Sequence, residues 1–82
     1  MLKNVIRPPR FLKQLSKLDK SYLERAEKLI LKIINNPEIG KPMKFERRST
    51  REVYLPPFRI SYSYNKTEKI LVFLNIYHKK HQ

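Results

Sequence analysis

Phe58-Arg59-Ile60-Ser61-Tyr62-Ser63-Tyr64 repeats with a period of two. That period predicts a strand with Phe58, Ile60, Tyr62 and Tyr64 on one face and Arg59, Ser61 and Ser63 on the other. Upstream, Val53 and Leu55 alternate with Glu52 and Tyr54, and Pro56-Pro57 forms a connection that cannot donate ladder hydrogen bonds. Downstream, the polar stretch Asn65-Lys66-Thr67-Glu68 reads as a hairpin loop. Ile70 to Tyr77 is nearly all apolar, as a central strand covered on both sides over part of its length would be.

The apolar strand face needs a cover, and the first half of the chain supplies one. Residues 2–7 alternate loosely and read as a short strand, which Pro8-Pro9 stops; a proline also suits the first turn of the helix that follows. Phe11, Leu15 and Leu18 share one helical stripe with Leu12 at its edge, while Lys13, Gln14 and Lys17 point elsewhere. After the turn Asp19-Lys20, Ser21-Tyr22-Leu23-Glu24 has the pattern of a capping box. A second, broader stripe runs from Tyr22 through Ala26, Leu29, Ile30, Ile33 and Ile34, with Glu24, Arg25, Lys28 and Lys32 opposite. Asn35-Asn36-Pro37 ends that helix, and Glu38 to Thr50 reads as an irregular basic loop. The expected order is β-α-α-β-β-β: an α+β fold with a small antiparallel sheet and two N-terminal helices packed on one face.

Composition bounds the function. At 82 residues the chain has room for a single domain, residues 1–82, and its 40% hydrophobic content is enough for a packed core. No cysteine is present, so disulfides, thiolate zinc sites and a Cys nucleophile are excluded; one glycine excludes Gly-rich phosphate cradles. No run of eighteen apolar residues spans a membrane, and the N-terminal residues lack the apolar core of a signal peptide, so a cytoplasmic protein is expected. There are 19 Lys and Arg against 7 Asp and Glu, a net charge of +12. Residues 1–43 carry 10 basic and 4 acidic residues and residues 44–82 carry 9 and 3, so each half is +6. The excess belongs to the folded body and suits a polyanion, above all nucleic acid.

Candidate site residues follow from placement. Arg59, between strand positions that face the core, looks away from the helices with Ser61 and Ser63; its fork is suited to a phosphate, although a solvated strand arginine has the same pattern. Tyr77-His78-Lys79-Lys80-His81-Gln82 gathers two imidazoles and two ammonium groups, suited to proton exchange and to charge stabilisation during RNA cleavage, or to a solubilising tail. Lys44, Arg47, Arg48 and Arg51, with Phe45 among them, form a basic run with an interleaved aromatic that fits single-stranded RNA or a charged surface loop. His78 and His81 have no nearby Cys, Asp or Glu to complete a metal set, so neither metal nor cofactor is expected. The five tyrosines read mainly as strand-face packing.

Taken in order, Asn36-Pro37, Gly40-Lys41-Pro42-Met43-Lys44, Arg51-Glu52-Val53, Phe58-Arg59-Ile60-Ser61-Tyr62 and Leu74 through His78-Lys79-Lys80 resemble the RelE/ParE superfamily of toxins from type II toxin–antitoxin pairs. The resemblance implies a microbial RNase-like fold and one of two activities. RelE-type members cut mRNA on the ribosome without a metal, by attack of a ribose 2′-OH on its own phosphodiester; ParE-type members inhibit DNA gyrase. A plain RNA-binding module is a further alternative. Either toxin type is neutralised by a cognate antitoxin, here RelB-like, and the nuclease reading adds mRNA and rRNA as partners. Arg59 matches the arginine that RelE-type toxins place on the scissile phosphate, and Lys80 lies where they carry another basic catalytic residue. His78 or His81 would supply acid or base function, with Glu52 a further candidate base; Lys44, Arg47, Arg48, Arg51 and Lys79 would hold RNA. One departure stands out: Glu52 and Tyr54 occupy the alternate positions where the RelE type usually shows two basic residues.

Overall fold

A computed structural model of the chain describes residues 2–42 and 49–78. Strand β1 (Asn4–Ile6) leads into helices α1 (Pro9–Ser16) and α2 (Lys20–Asn35), followed by strands β2 (Lys41–Pro42), β3 (Thr50–Leu55), β4 (Phe58–Asn65) and β5 (Ile70–His78). These five strands form one sheet in the order β1-β5-β4-β3-β2. The expected α+β architecture is present, with both helices sharing one core with the sheet.

Cross-strand partners share a face, so the register defines the two sides of the sheet. Phe58 pairs with His78, Ile60 with Ile76, Tyr62 with Phe73 and Tyr64 with Leu71 on the covered side. There Ile60, Tyr62, Leu71 and Phe73 meet Phe11 from α1 and Ala26, Ile30 and Ile33 from α2, all essentially sealed from solvent. The Phe11 and Phe73 rings stack at 5.1 Å, and each contributes roughly 1.5–3 kcal/mol by burial.

Four features differ from the sequence expectation, each for a tertiary reason. First, the sheet is mixed rather than wholly antiparallel: β1 runs parallel to β5. The N–H groups of Lys3 and Asn4 donate to the Lys69 carbonyl at 2.8 and 3.4 Å, so both strands start at the same end. A three-residue strand carries no pattern that fixes its direction. Second, the stretch read as loop contains β2, paired with β3 through Lys41–Glu52 and Pro42–Arg51. Its place at the sheet edge accommodates Pro42.

Third, α2 starts at Lys20 with Asp19 as N-cap, which places Ser21 inside the first turn, where no capping box forms. Fourth, Gln14 points toward the sheet. The β4–β5 register shifts between Ser61 and Tyr62, which leaves Leu74 as an extra residue on β5. Gln14 spans this irregularity: its Oε1 accepts from the Ile76 N–H at 2.9 Å and its Nε2 donates to Asn75 Oδ1 at 3.3 Å.

The segment after α2 is tied down from inside the core. The fully buried Tyr62 hydroxyl donates to the Pro37 carbonyl and accepts from the Gly40 N–H, both at 2.9 Å. A Cβ on Gly40 would lie 2.5 Å from that hydroxyl oxygen, so only glycine permits the approach. Arg51 completes the knot by donating to the carbonyls of Glu38 at 3.0 Å and Gly40 at 2.8 Å.

Candidate functional site on the open sheet face

The face turned away from the helices collects the polar residues of β3, β4 and β5. The register sets Glu52 opposite Ser61, Tyr54 opposite Arg59, and Arg59 opposite Tyr77. Three strands thereby bring a carboxylate, a guanidinium and a phenol into contact. Arg59 Nη1 donates to Glu52 Oε1 at 3.0 Å, and the Tyr77 hydroxyl donates to Glu52 Oε2 at 2.7 Å. The Arg59 guanidinium also sits over the Tyr54 ring, 5.9 Å from its centre. Beside this group Ser61 is buried. The side chains of Arg59 and Glu52 remain 25% and 20% exposed, so the pair is ordered yet open to a ligand.

Burial pushes the Tyr77 phenol above its ordinary range, and the hydrogen bond to Glu52 and that carboxylate's charge add to the rise; Arg59 partly offsets it. Tyr77 is therefore a standing hydrogen-bond donor near neutral pH; Glu52 accepts one hydrogen bond on each oxygen, from Arg59 and from Tyr77. A carboxylate so placed can take a proton from a hydroxyl, and the adjacent guanidinium can orient and neutralise a phosphate.

Of the residues singled out from sequence, Arg59 and Glu52 come together here. His78 does not join them. It lies on the covered side, its ring edge-on to Phe58 at 5.6 Å, at the mouth of a cleft between the α1–α2 corner and the ends of β4 and β5. Arg51 sits beside the Pro37–Gly40 segment with its guanidinium on backbone carbonyls. Lys44, Arg47, Arg48, Lys79, Lys80 and His81 lie outside the described residues. Among the described residues no three His, Asp or Glu side chains are grouped to hold a metal ion, and no helix is long and apolar enough to cross a membrane.

Sequence reasoning missed Tyr77, whose role depends on a partner two strands away. Counting from the Asn65–Ile70 pair sets Ile76 opposite Arg59, and only the extra residue at Leu74 brings Tyr77 there, so residue parity gave no signal for it. Gln14 gave no signal for the same reason, because the bulge that it spans leaves no mark in the residue pattern.

The family model described as the ParE toxin of type II toxin–antitoxin system, parDE, matches residues 5–82. Comparison with curated protein sequences gave no significant match. The fold is similar to the RelBE2 toxin–antitoxin complex from Mycobacterium tuberculosis, with a TM-score of 0.80 at 20% identity over 96% of this chain and 100% of that one. It is also similar to the archaeal RelE–RelB complex from Pyrococcus horikoshii OT3, with a TM-score of 0.75 at 19% identity over the whole of both chains. A YoeB/ParE toxin from Agrobacterium tumefaciens is similar too, with a TM-score of 0.76 at 13% identity over 92% of this chain and 96% of that one.

Proposed function

This chain belongs to the ParE toxin family of type II toxin–antitoxin systems, and we propose that it inhibits translation by ribosome-dependent cleavage of messenger RNA. The observation that carries this reading is Glu52 held between Arg59 and Tyr77 on the open sheet face, a base and a phosphate-directed cation in direct contact. Glu52 takes the proton from a ribose 2′-OH, whose oxygen attacks the adjacent phosphorus. The bond from phosphorus to the 5′-oxygen breaks, a 2′,3′-cyclic phosphate forms, and the leaving oxygen takes a proton. We assign that proton to the basic segment 79–81, which holds Lys80 and His81. Arg59 neutralises the charge that builds on the phosphoryl oxygens, a contribution of about 100- to 1,000-fold in rate for a single well-placed donor. Lys44, Arg47, Arg48 and Lys79 add backbone contacts to mRNA and rRNA, and such binding weakens with a log–log salt slope of about −0.7 per neutralised phosphate.

The partner that restrains the toxin is a cognate RelB-like antitoxin. Structures similar to this chain include RelE–RelB and RelB–RelE complexes, which supports that assignment. A second reading is block of DNA gyrase without cleavage. It draws on the ParE family match and on Glu52, which balances the charge of Arg59 as in an interaction surface.

The test maps cut sites on translated mRNA with the wild-type chain and with Arg59→Ala, alongside a gyrase supercoiling assay. Cleavage by the wild type, reduced at least about 100-fold in Arg59→Ala, supports the nuclease reading. Inhibited supercoiling with intact mRNA overturns it in favour of the second.

A further inference from the structure

The cleft beside His78 is not used by the chemistry above, and its lining is specific. It encloses about 310 Å³, at the small end of the roughly 300–1,000 Å³ range of ligand sites. Its wall is a row of rings: Tyr22 stands edge-on to Phe58 at 5.4 Å, and Phe58 stands edge-on to His78 at 5.6 Å. All three are only partly buried, so ring surface reaches the cleft. Two exposed, oppositely charged side chains, Lys17 and Asp19, lie among the lining residues.

Asp19 is the N-cap of α2, yet its side chain makes no cap hydrogen bond. Neither its carboxylate nor the Lys17 ammonium forms a hydrogen bond or ion pair with another described residue. Gln14, by contrast, is committed at both ends to β5. The cleft therefore offers ring surface for stacking, one two-oxygen acceptor and one strong donor.

We infer that this cleft is a nucleobase site with a preference for guanine. An unpaired base is held by stacking on aromatic rings and by hydrogen bonds to its Watson–Crick edge. Guanine presents two adjacent donors there, N1–H and N2–H₂, which match the two oxygens of Asp19, and its O6 is an acceptor for Lys17. Adenine and cytosine place a ring-nitrogen acceptor against the carboxylate, and uracil places a single donor between two acceptors. Each is disfavoured by repulsion as well as by fewer bonds.

The cleft shares two strand segments with the open face. Tyr77 lines the cleft while its hydroxyl holds Glu52, and Phe58 directly precedes Arg59. The cleft and the Glu52–Arg59 pair lie on opposite faces of the sheet, so a nucleotide whose base sits in the cleft reaches that pair only round the end of the sheet where β4 begins and β5 ends. This use of the cleft rests on the RNA-cleaving reading; base binding itself is measured without it.

The experiment titrates GMP, AMP, CMP and UMP into the isotope-labelled chain and follows amide and ring shifts by NMR, for wild type, Asp19→Asn and Tyr22→Ala. Asparagine caps helices as well as aspartate does, so Asp19→Asn keeps the start of α2. The expected result is GMP bound at least about 10-fold more tightly than the other three, with shifts at Tyr22, Phe58 and His78. Asp19→Asn should erase the preference and Tyr22→Ala should weaken all four. Equal binding of the four nucleotides, or a preference unchanged in Asp19→Asn, overturns the proposal. So does a cleft that ignores nucleotides but whose Tyr22→Ala change weakens capture by the cognate antitoxin, which would mark it as a protein-docking groove. GMP preference in a chain that cuts no RNA supports the base site and removes only the nuclease reading. Cutting by Asp19→Asn at wild-type rate and sites removes the base site and leaves the nuclease reading standing.

Discussion

Tyr62 and Tyr77 sit on adjacent strands of one sheet, each with its hydroxyl hydrogen-bonded and its phenol raised above the ordinary value of 10.0, chiefly by burial. They differ in what they hold. Tyr62, on the helix-covered face, bonds two backbone groups, Pro37 and Gly40, and fastens a loop to the core. Tyr77, on the open face, bonds a side-chain carboxylate that is itself paired with Arg59. The same residue type thus serves architecture on one face and a reactive group on the other. Burial of a polar group does not by itself mark function; the chemistry of its partner does.

This contrast predicts that changes on the covered face act through stability and changes on the open face through activity. The largest stability effect is expected from Phe73→Ala, which opens a cavity against Phe11 and Tyr62. A loss of about 3–5 kcal/mol by denaturant unfolding is expected, enough to unfold a small domain. Gly40→Ala follows, at roughly 1–3 kcal/mol, because the added methyl collides with the Tyr62 hydroxyl. Tyr62→Phe should lose about 1–3 kcal/mol by leaving the Gly40 N–H and Pro37 carbonyl without their partner. The same measurement on Tyr77→Phe should give less, since the partner it leaves is a carboxylate still paired with Arg59. A Tyr77→Phe loss equal to that of Tyr62→Phe would break the comparison.

The smallest effect concerns alkaline pH. Raised phenols mean that the folded chain keeps protons which the unfolded chain releases near pH 10. Stability is therefore full below pH 10 and falls as pH climbs above it toward the folded values. Tyr62→Phe and Tyr77→Phe should each flatten that fall relative to wild type in urea unfolding between pH 9 and 11. An unchanged slope in both variants would show that neither phenol is shifted.

The helices and the three long strands were legible in the sequence because their periods are local: every fourth or every second residue reports the side it faces. Arg59 was legible for the same reason, placed on the open face by its neighbours Phe58 and Ile60. The parallel edge strand and the two-residue β2 were not, because their pairing is decided by distant segments. Glu52 came into view only as a further candidate base. Its contact with Arg59 follows from the β3–β4 register across Pro56-Pro57, and its contact with Tyr77 crosses a further strand. The Leu74 bulge shifts the parity of β5 between Phe73 and Ile76, so counting along the sequence alone misplaces side chains there. Gln14 falls off the apolar stripe of α1, so the helical period alone turns it away from the core, although the bulge gives it a backbone donor to accept from.

The central claim is that the open face acts through Glu52 as a base poised by Arg59 and Tyr77. The most direct test is the cleavage rate of translated mRNA by Glu52→Gln, measured together with its unfolding free energy. Glutamine keeps the size and one acceptor of the side chain but cannot take the proton. The account predicts a rate reduced about 100- to 10,000-fold, with stability changed by no more than about 1 kcal/mol. Cleavage by Glu52→Gln at the wild-type rate would contradict it.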